Sequence, residues 1–160
     1  MDVRKTHLVF LIFYAFIVAS IFLTPLFTYA APDVAEFSYF THSKNCHQRP
    51  ERSPHLFGHQ LPECWRCTAI FVGSLVGVIL IIRLGARAKW WWLALATIPI
   101  AVDGGMQLLG WRASTNQLRL VTGGIFGMVC ALWFIPFITR VTDWLKNQWR
   151  KLKNSRGGLN

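Results

Sequence analysis

A chain of 160 residues, 53% hydrophobic and only 15% charged, carries well below the charge of a soluble domain, where roughly a quarter is usual. Its 14% aromatic content excludes a disordered segment, and 12 glycines with 4 cysteines exclude a collagenous or disulfide-dense scaffold. The formal charge of +10 comes without an RNA-binding or helix-turn-helix signature, so a polytopic membrane protein with basic flanks remains, and no nucleic-acid partner is expected.

In chain order, four apolar stretches approach the roughly 20 residues needed to cross the hydrocarbon core: residues 8–30, 65–84, 90–111 and 118–139. The first has a rival reading as a signal peptide, since Arg4-Lys5, an apolar run and Thr28-Tyr29-Ala30 before Ala31 resemble a cleavable leader. Its length favours a retained span. Trp65 and Trp111 mark one membrane interface, and Trp90, Trp91 and Trp92 the other. Gly73-x-x-x-Gly77 and Gly123-x-x-x-Gly127 permit close helix approach. Pro99 and Pro136 free carbonyls that neighbouring segments must satisfy.

With the N-terminus inside, eleven Lys and Arg residues fall on the cytoplasmic side against six outside, among them Lys44 and Arg112. The positive-inside rule then puts both termini in the cytoplasm of a multi-pass protein of the cell membrane. Residues 1–140 form the membrane domain, with an outer loop at 31–64, and residues 141–160 a basic tail. In that tail Val141, Trp144, Leu145, Trp149 and Leu152 alternate with Lys146, Arg150, Lys151 and Lys153, as in an amphipathic helix lying on anionic lipid.

The outer loop is chemically dense. It holds four of the five histidines (His42, His47, His55 and His59) together with Cys46, and Cys64-x-x-Cys67 follows at the mouth of the second span. Two thiolates two residues apart can bind one ion without strain, and the ion closes a loop that has little core of its own. Cys46, Cys64 and Cys67 with one histidine, either His47 or, if adjacent residues cannot both reach, His42 or His59, make a zinc set. Without a histidine, water takes the fourth position. Two other readings stand beside zinc. Cys-x-x-Cys at a helix start stabilises a thiolate, as in membrane thiol–disulfide oxidoreductases coupled to quinone. The same cysteines could instead form an inert disulfide with a spare thiol.

Asp103 lies inside the third span, where a carboxylate is costly and points to function. Gln107, four residues on, shares its helix face. Ser114-x-x-Gln117 reads as a capping box for the fourth span, which leaves Asn116 and Arg119 unexplained. Arg49, Arg52, Arg66 and Arg119 gather at the same surface, where guanidinium groups suit phosphate or carboxylate, whether of substrate or of lipid headgroups.

Four stretches occur together: Cys46-His47-Gln48-Arg49-Pro50-Glu51-Arg52-Ser53, Gly58-His59-Gln60-Leu61-Pro62-Glu63-Cys64-Trp65-Arg66-Cys67-Thr68, Asp103-Gly104-Gly105-Met106-Gln107 and Ser114-Thr115-Asn116-Gln117-Leu118-Arg119. In combination they resemble a family of small prokaryotic integral membrane proteins classed as a domain of unknown function, over about residues 40–130. Such proteins commonly carry Gly where Ala69 stands and Glu where Ala113 stands. The resemblance implies a membrane location and one shared outer-face site, and brings no activity with it.

The expected protein is an all-α, four-helix transmembrane bundle with a Cys/His-rich outer loop and a C-terminal interfacial helix. Its outward, metal-stabilised site binds or processes an anionic, lipid-linked substrate. Asp103 serves there as proton acceptor or charge partner, Gln107 and Asn116 orient the substrate, and Arg49, Arg52, Arg66 and Arg119 take its charge. A quinone-linked thiol oxidoreductase and a non-catalytic subunit of a membrane complex are the alternatives.

Overall fold

The computed structural model describes residues 3–111 and 114–157, with side chains up to residue 154. Arg112, counted among the outer basic residues, and Ala113, one of the two departures from the family pattern, lie outside the described residues. Of the described residues 81% are helical, with five α-helices among them. These are α1 (Val3–Ala30), α2 (Pro32–Ser43), α3 (Trp65–Leu84), α4 (Trp90–Leu108) and α5 (Asn116–Gly157). Among the described residues α1, α3 and α5 are long and apolar enough to cross a membrane. α4, expected as a full span over residues 90–111, ends at Leu108 and is not among them. Trp90, Trp91 and Trp92 at one end and Asp103 and Gln107 at the other dilute its apolar run.

α1 breaks where Pro32 follows Ala31, because the residue before proline is driven out of the helical region; Ala31 sits at φ −154° and ψ 78°. The chain then reverses. Thr24 Oγ1 meets Ser38 Oγ at 2.6 Å and Ser20 Oγ meets His42 Nε2 at 3.1 Å, so α2 runs back along the last turns of α1. The expected outer loop thus contains a helix. It also contains a 3-10 turn (Pro50–Arg52) and a hairpin of β1 (His55–Leu56) and β2 (His59–Gln60). The hairpin turns at Phe57 and Gly58, both with positive φ (53° and 79°), as a two-residue reversal requires.

α3 and α5 pack side by side and parallel, from Arg66 beside Gly123 to Ile81 beside Ile135. At the glycines of the seam no side chain stands between the two backbones. A methyl added at Gly73 would sit 2.1 Å from the Gly124 carbonyl oxygen, and one at Gly127 2.1 Å from that of Ile70. Ser74 Oγ donates to the Gly127 carbonyl at 3.1 Å across the same seam. Phe10, Leu11 and Tyr14 of α1 complete the core over Val78, Ile81, Ala131 and Ile135.

α3 ends in a glycine cap. Gly85 takes φ 63° and donates to the Ile81 carbonyl, while Ala86 N–H reaches that of Leu80. Pro136 in α5 cannot donate to Leu132, and the freed Leu132 carbonyl accepts the Ala88 N–H at 3.1 Å. The α3–α4 turn is thereby fastened to α5. α5 carries the fourth apolar stretch and the basic tail in one unbroken helix of 42 residues, since neither Gly nor Pro intervenes between Val141 and Lys153.

Candidate metal and anion site

The three sulfurs come together. The Sγ atoms of Cys46, Cys64 and Cys67 all lie within 4.8 Å of one another, and all four cysteines of the chain are free thiols. A tetrahedral zinc ion holds its thiolates about 3.8 Å apart, so this cluster needs only a small contraction to take such an ion. Cys64 precedes the first turn of α3 and Cys67 lies one turn in, which puts both side chains at the helix mouth. Cys46 is buried, and its sulfur accepts the Cys64 backbone N–H at 3.2 Å.

Gln48 brings Cys46 there. It sits at φ 47°, donates through Nε2 to the carbonyls of Tyr39 (2.8 Å) and Pro62 (2.9 Å), and accepts at its own carbonyl from Gln60 Nε2 at 2.5 Å. This stitching ties the segment after α2 to the segment before α3.

Shared protons set the charge of the cluster. Thiol donation from Cys46, and next from Cys67, holds the Cys64 thiol far below its usual range; the N–H groups of Cys67 and Arg66 add to the effect without a capping bond. The same contact with Cys64 pushes the Cys46 thiol up. The positive end of α3 acts in the same direction on Cys64, favouring a thiolate there.

The cluster opens onto a cavity of about 500 Å³. Its wall includes His47, Gln48, Arg49, Arg52, Arg66, Gln107 and Arg119 beside the three cysteines, and among the described residues no carboxylate lines it. Asp103 stands behind this wall, 7% exposed, in an ion pair with Arg66. Gln107 Nε2 donates to the same carboxylate at 3.4 Å, and its Oε1 accepts from Arg52 Nη1 at 3.3 Å. Arg119, 5% exposed, donates to Asn116 Oδ1 at 3.0 Å, and Asn116 Nδ2 reaches the Glu51 carbonyl at 3.4 Å. Asn116 thus braces an arginine and is not itself on the cavity wall. The Arg66 Nε is buried without a hydrogen-bond partner among the described residues.

The histidines divide. His47 is on the cavity wall. His59 lies in β2 with its ring edge-on to Tyr29 at 4.8 Å. His42 is held between Glu63 Oε1 (2.9 Å) and Ser20 Oγ (3.1 Å). Sequence reasoning gave no role to Gln48 or to Glu63, which is completely buried beside Cys64. Both stand inside the quoted Cys-His-Gln and Pro-Glu-Cys motifs, and a buried Glu before a metal-type cysteine was the available signal. The cap of α5 also moves by one residue. Thr115 Oγ1 accepts the Leu118 N–H at 3.3 Å, whereas Ser114 Oγ faces the Thr115 carbonyl. With Asn116 first in the helix, Leu118 occupies the third position, where a Glu or Gln would be needed to close the capping box.

Apolar helices long enough to cross a bilayer, with a three-cysteine cluster at the mouth of one of them, define a multi-pass membrane protein carrying a potential metal centre. The chain belongs to the family described as "Predicted membrane protein (DUF2085)", which matches residues 46–133 and so contains the three cysteines and the four arginines of the cavity. It is 37% identical to an uncharacterised protein of Methanocaldococcus jannaschii over 144 residues, covering 83% of this chain and 92% of that one. It is 41% identical to one from Methanothermobacter thermautotrophicus over 81 residues, covering 49% of this chain and 73% of the relative. No solved structure matches.

Proposed function

We propose that this protein binds or processes an anionic, lipid-linked substrate in an outward-facing cavity built around a zinc ion. The observation that carries this reading is the convergence of three sulfurs and four arginines on one cavity whose described wall has no carboxylate. Cys46, Cys64 and Cys67 would hold the zinc, with His47 or water as fourth ligand. Bound there, zinc would tie the loop to α3 and supply a Lewis acid to the cavity. Arg49, Arg52, Arg66 and Arg119 take the negative charge of the substrate through forked hydrogen bonds. Asp103 fixes Arg66, and Gln107 links that pair to Arg52.

The lipid link is supported by an apolar groove of about 680 Å³, lined by Trp65, Thr68, Val72 and Val76 of α3 and by Leu120, Val121 and Ile125 of α5. Thr68 follows Cys67 and Leu120 follows Arg119, so groove and polar cavity begin at the same level of the bundle. A hydrocarbon chain in the groove would leave its headgroup beside the arginines.

In this reading α4 crosses as a fourth span, the basic end of α5 rests on the inner leaflet, and both termini are cytoplasmic. Elemental analysis of the purified full chain, with thiols counted before and after reduction, tests the metal: one zinc per chain and three protected thiols are expected. A metal-free protein with a reducible disulfide would instead favour the quinone-linked thiol oxidoreductase, for which the mutual reach of the sulfurs is the supporting observation. Retention of a polyprenyl phosphate over the uncharged polyprenol, lost in Arg52→Gln/Arg119→Gln, tests the anion site.

A further inference from the structure

A second cavity, of about 460 Å³, lies at the other end of the helices. The 20 residues of α3 run from Cys64 to the α3–α4 turn, about 30 Å at 1.5 Å per residue, which is the thickness of a bilayer core. Arg87 and Lys89 of that turn and Arg140 of α5 supply three cations to the cavity, and Trp90, Trp91 and Trp133 supply apolar and ring surface. Among the described residues none of the three cations forms an ion pair with a carboxylate. Lys89 Nζ lies 4.7 Å from the Trp91 ring centroid, and Trp133 stacks on Phe137 at 5.2 Å.

This grouping is built by the fold. The Ala88 N–H bond to the Leu132 carbonyl, available because Pro136 lacks its own N–H, fastens the turn carrying Arg87 and Lys89 beside Arg140. α4 begins at Trp90; the Trp92 N–H is taken by the Lys89 carbonyl at 3.0 Å, which leaves the N–H groups of Trp90 and Trp91 without an intrahelical partner beside the three cations. Unpaired cations, backbone donors and indole rings at bilayer-interface depth match one ligand chemistry, a phosphate diester whose glycerol and acyl portions stay among tryptophans.

We propose that this cavity is a specific site for the phosphate headgroup of an anionic membrane phospholipid, distinct from the cysteine-bearing cavity and independent of what that cavity does. The bilayer supplies the occupant. Arg87 and Arg140 hold the phosphate, Lys89 stays over Trp91 at its edge, and the Ala88–Leu132 bond sets the spacing between turn and helix.

The test uses the full chain in detergent micelles doped with either phosphatidylglycerol or phosphatidylcholine, with retained lipid counted by native mass spectrometry. One phosphatidylglycerol per chain is expected, favoured about tenfold or more over phosphatidylcholine. Arg87→Gln/Arg140→Gln should lower retention about tenfold or more, whereas Lys151→Gln/Lys153→Gln in the tail should leave it unchanged. Should the double arginine variant fail to fold, Pro136→Leu, which returns the Leu132 carbonyl to its own helix, should lower retention with every cation in place. Equal retention of both lipids, an equal loss in the tail variant, or displacement of the lipid by excess inorganic phosphate would each overturn the proposal, the last by making this a site for soluble anions.

Discussion

α3 and α4 are held in the bundle by opposite means. α3 packs backbone to backbone against α5 through glycines, with no room for a methyl at Gly73 or Gly127. α4 buries only Ala96 and Asp103, and the polar bonds it makes at the cysteine end run to Arg66 and Arg52, outside α5. One partner is fixed by shape and the other by charge. Where the driving force between helices is not hydrophobic, these are the two means available, and they fail differently.

The largest effect should come from attacking the shape. Gly127→Leu would drive a side chain into the Ile70 backbone, which neither helix can yield without separating, and it should cost about 3 kcal/mol or more. Unfolding in mixed micelles should show the loss, and near-normal stability of this variant would mean that the seam is not the framework. Attacking the charge should cost less. Asp103→Ala leaves the Arg66 guanidinium without its partner and should cost about 2 kcal/mol. Hydrogen exchange should then rise along α4 while the α3–α5 seam stays protected. The paired change Arg66→Met/Asp103→Leu should recover most of that stability while abolishing the proposed anion binding, which would separate the structural role of the pair from the proposed recognition role.

The metal gives a narrower break. If zinc sits on the three sulfurs as proposed, Cys46→Ser, or a strong chelator, should remove it and loosen residues 44–62 to proteolysis without disturbing the seam. Acidification should act in the same direction, because thiolates must take up protons to release the ion, so metal content should fall as pH falls. The smallest expected effect is that of Thr115→Ala, about 1 kcal/mol at the cap of α5, read as a shift in the unfolding midpoint.

The apolar lengths of α1, α3 and α5, the Gly-x-x-x-Gly seams and the meeting of Cys46 with Cys64 and Cys67 were legible in the sequence. Each follows from residue type and a short spacing, as does the sharing of one helix face by Asp103 and Gln107, whereas Arg66 as the partner of Asp103 was not among the expectations. What was not legible depends on long-range pairing. α2 is a short polar helix with no strong periodicity, and it exists because Thr24 and Ser20 offer partners to Ser38 and His42. The same contact withdraws His42 from the sulfurs, which no local pattern could announce. Gln48 was hidden for a similar reason, since its partners Tyr39 and Pro62 lie far from it along the chain.

The backbone-on-backbone seam also limits how the protein can move. With glycines seated against the opposing main chain over the part of the seam nearest the cysteines, α3 and α5 resist sliding past each other there. Cys64, Cys67 and Arg119 therefore form a static jaw. Whatever widens the mouth for a guest must swing the segment bearing Cys46 or tilt α4, and a cross-link between those two, not one along the seam, is what would jam it.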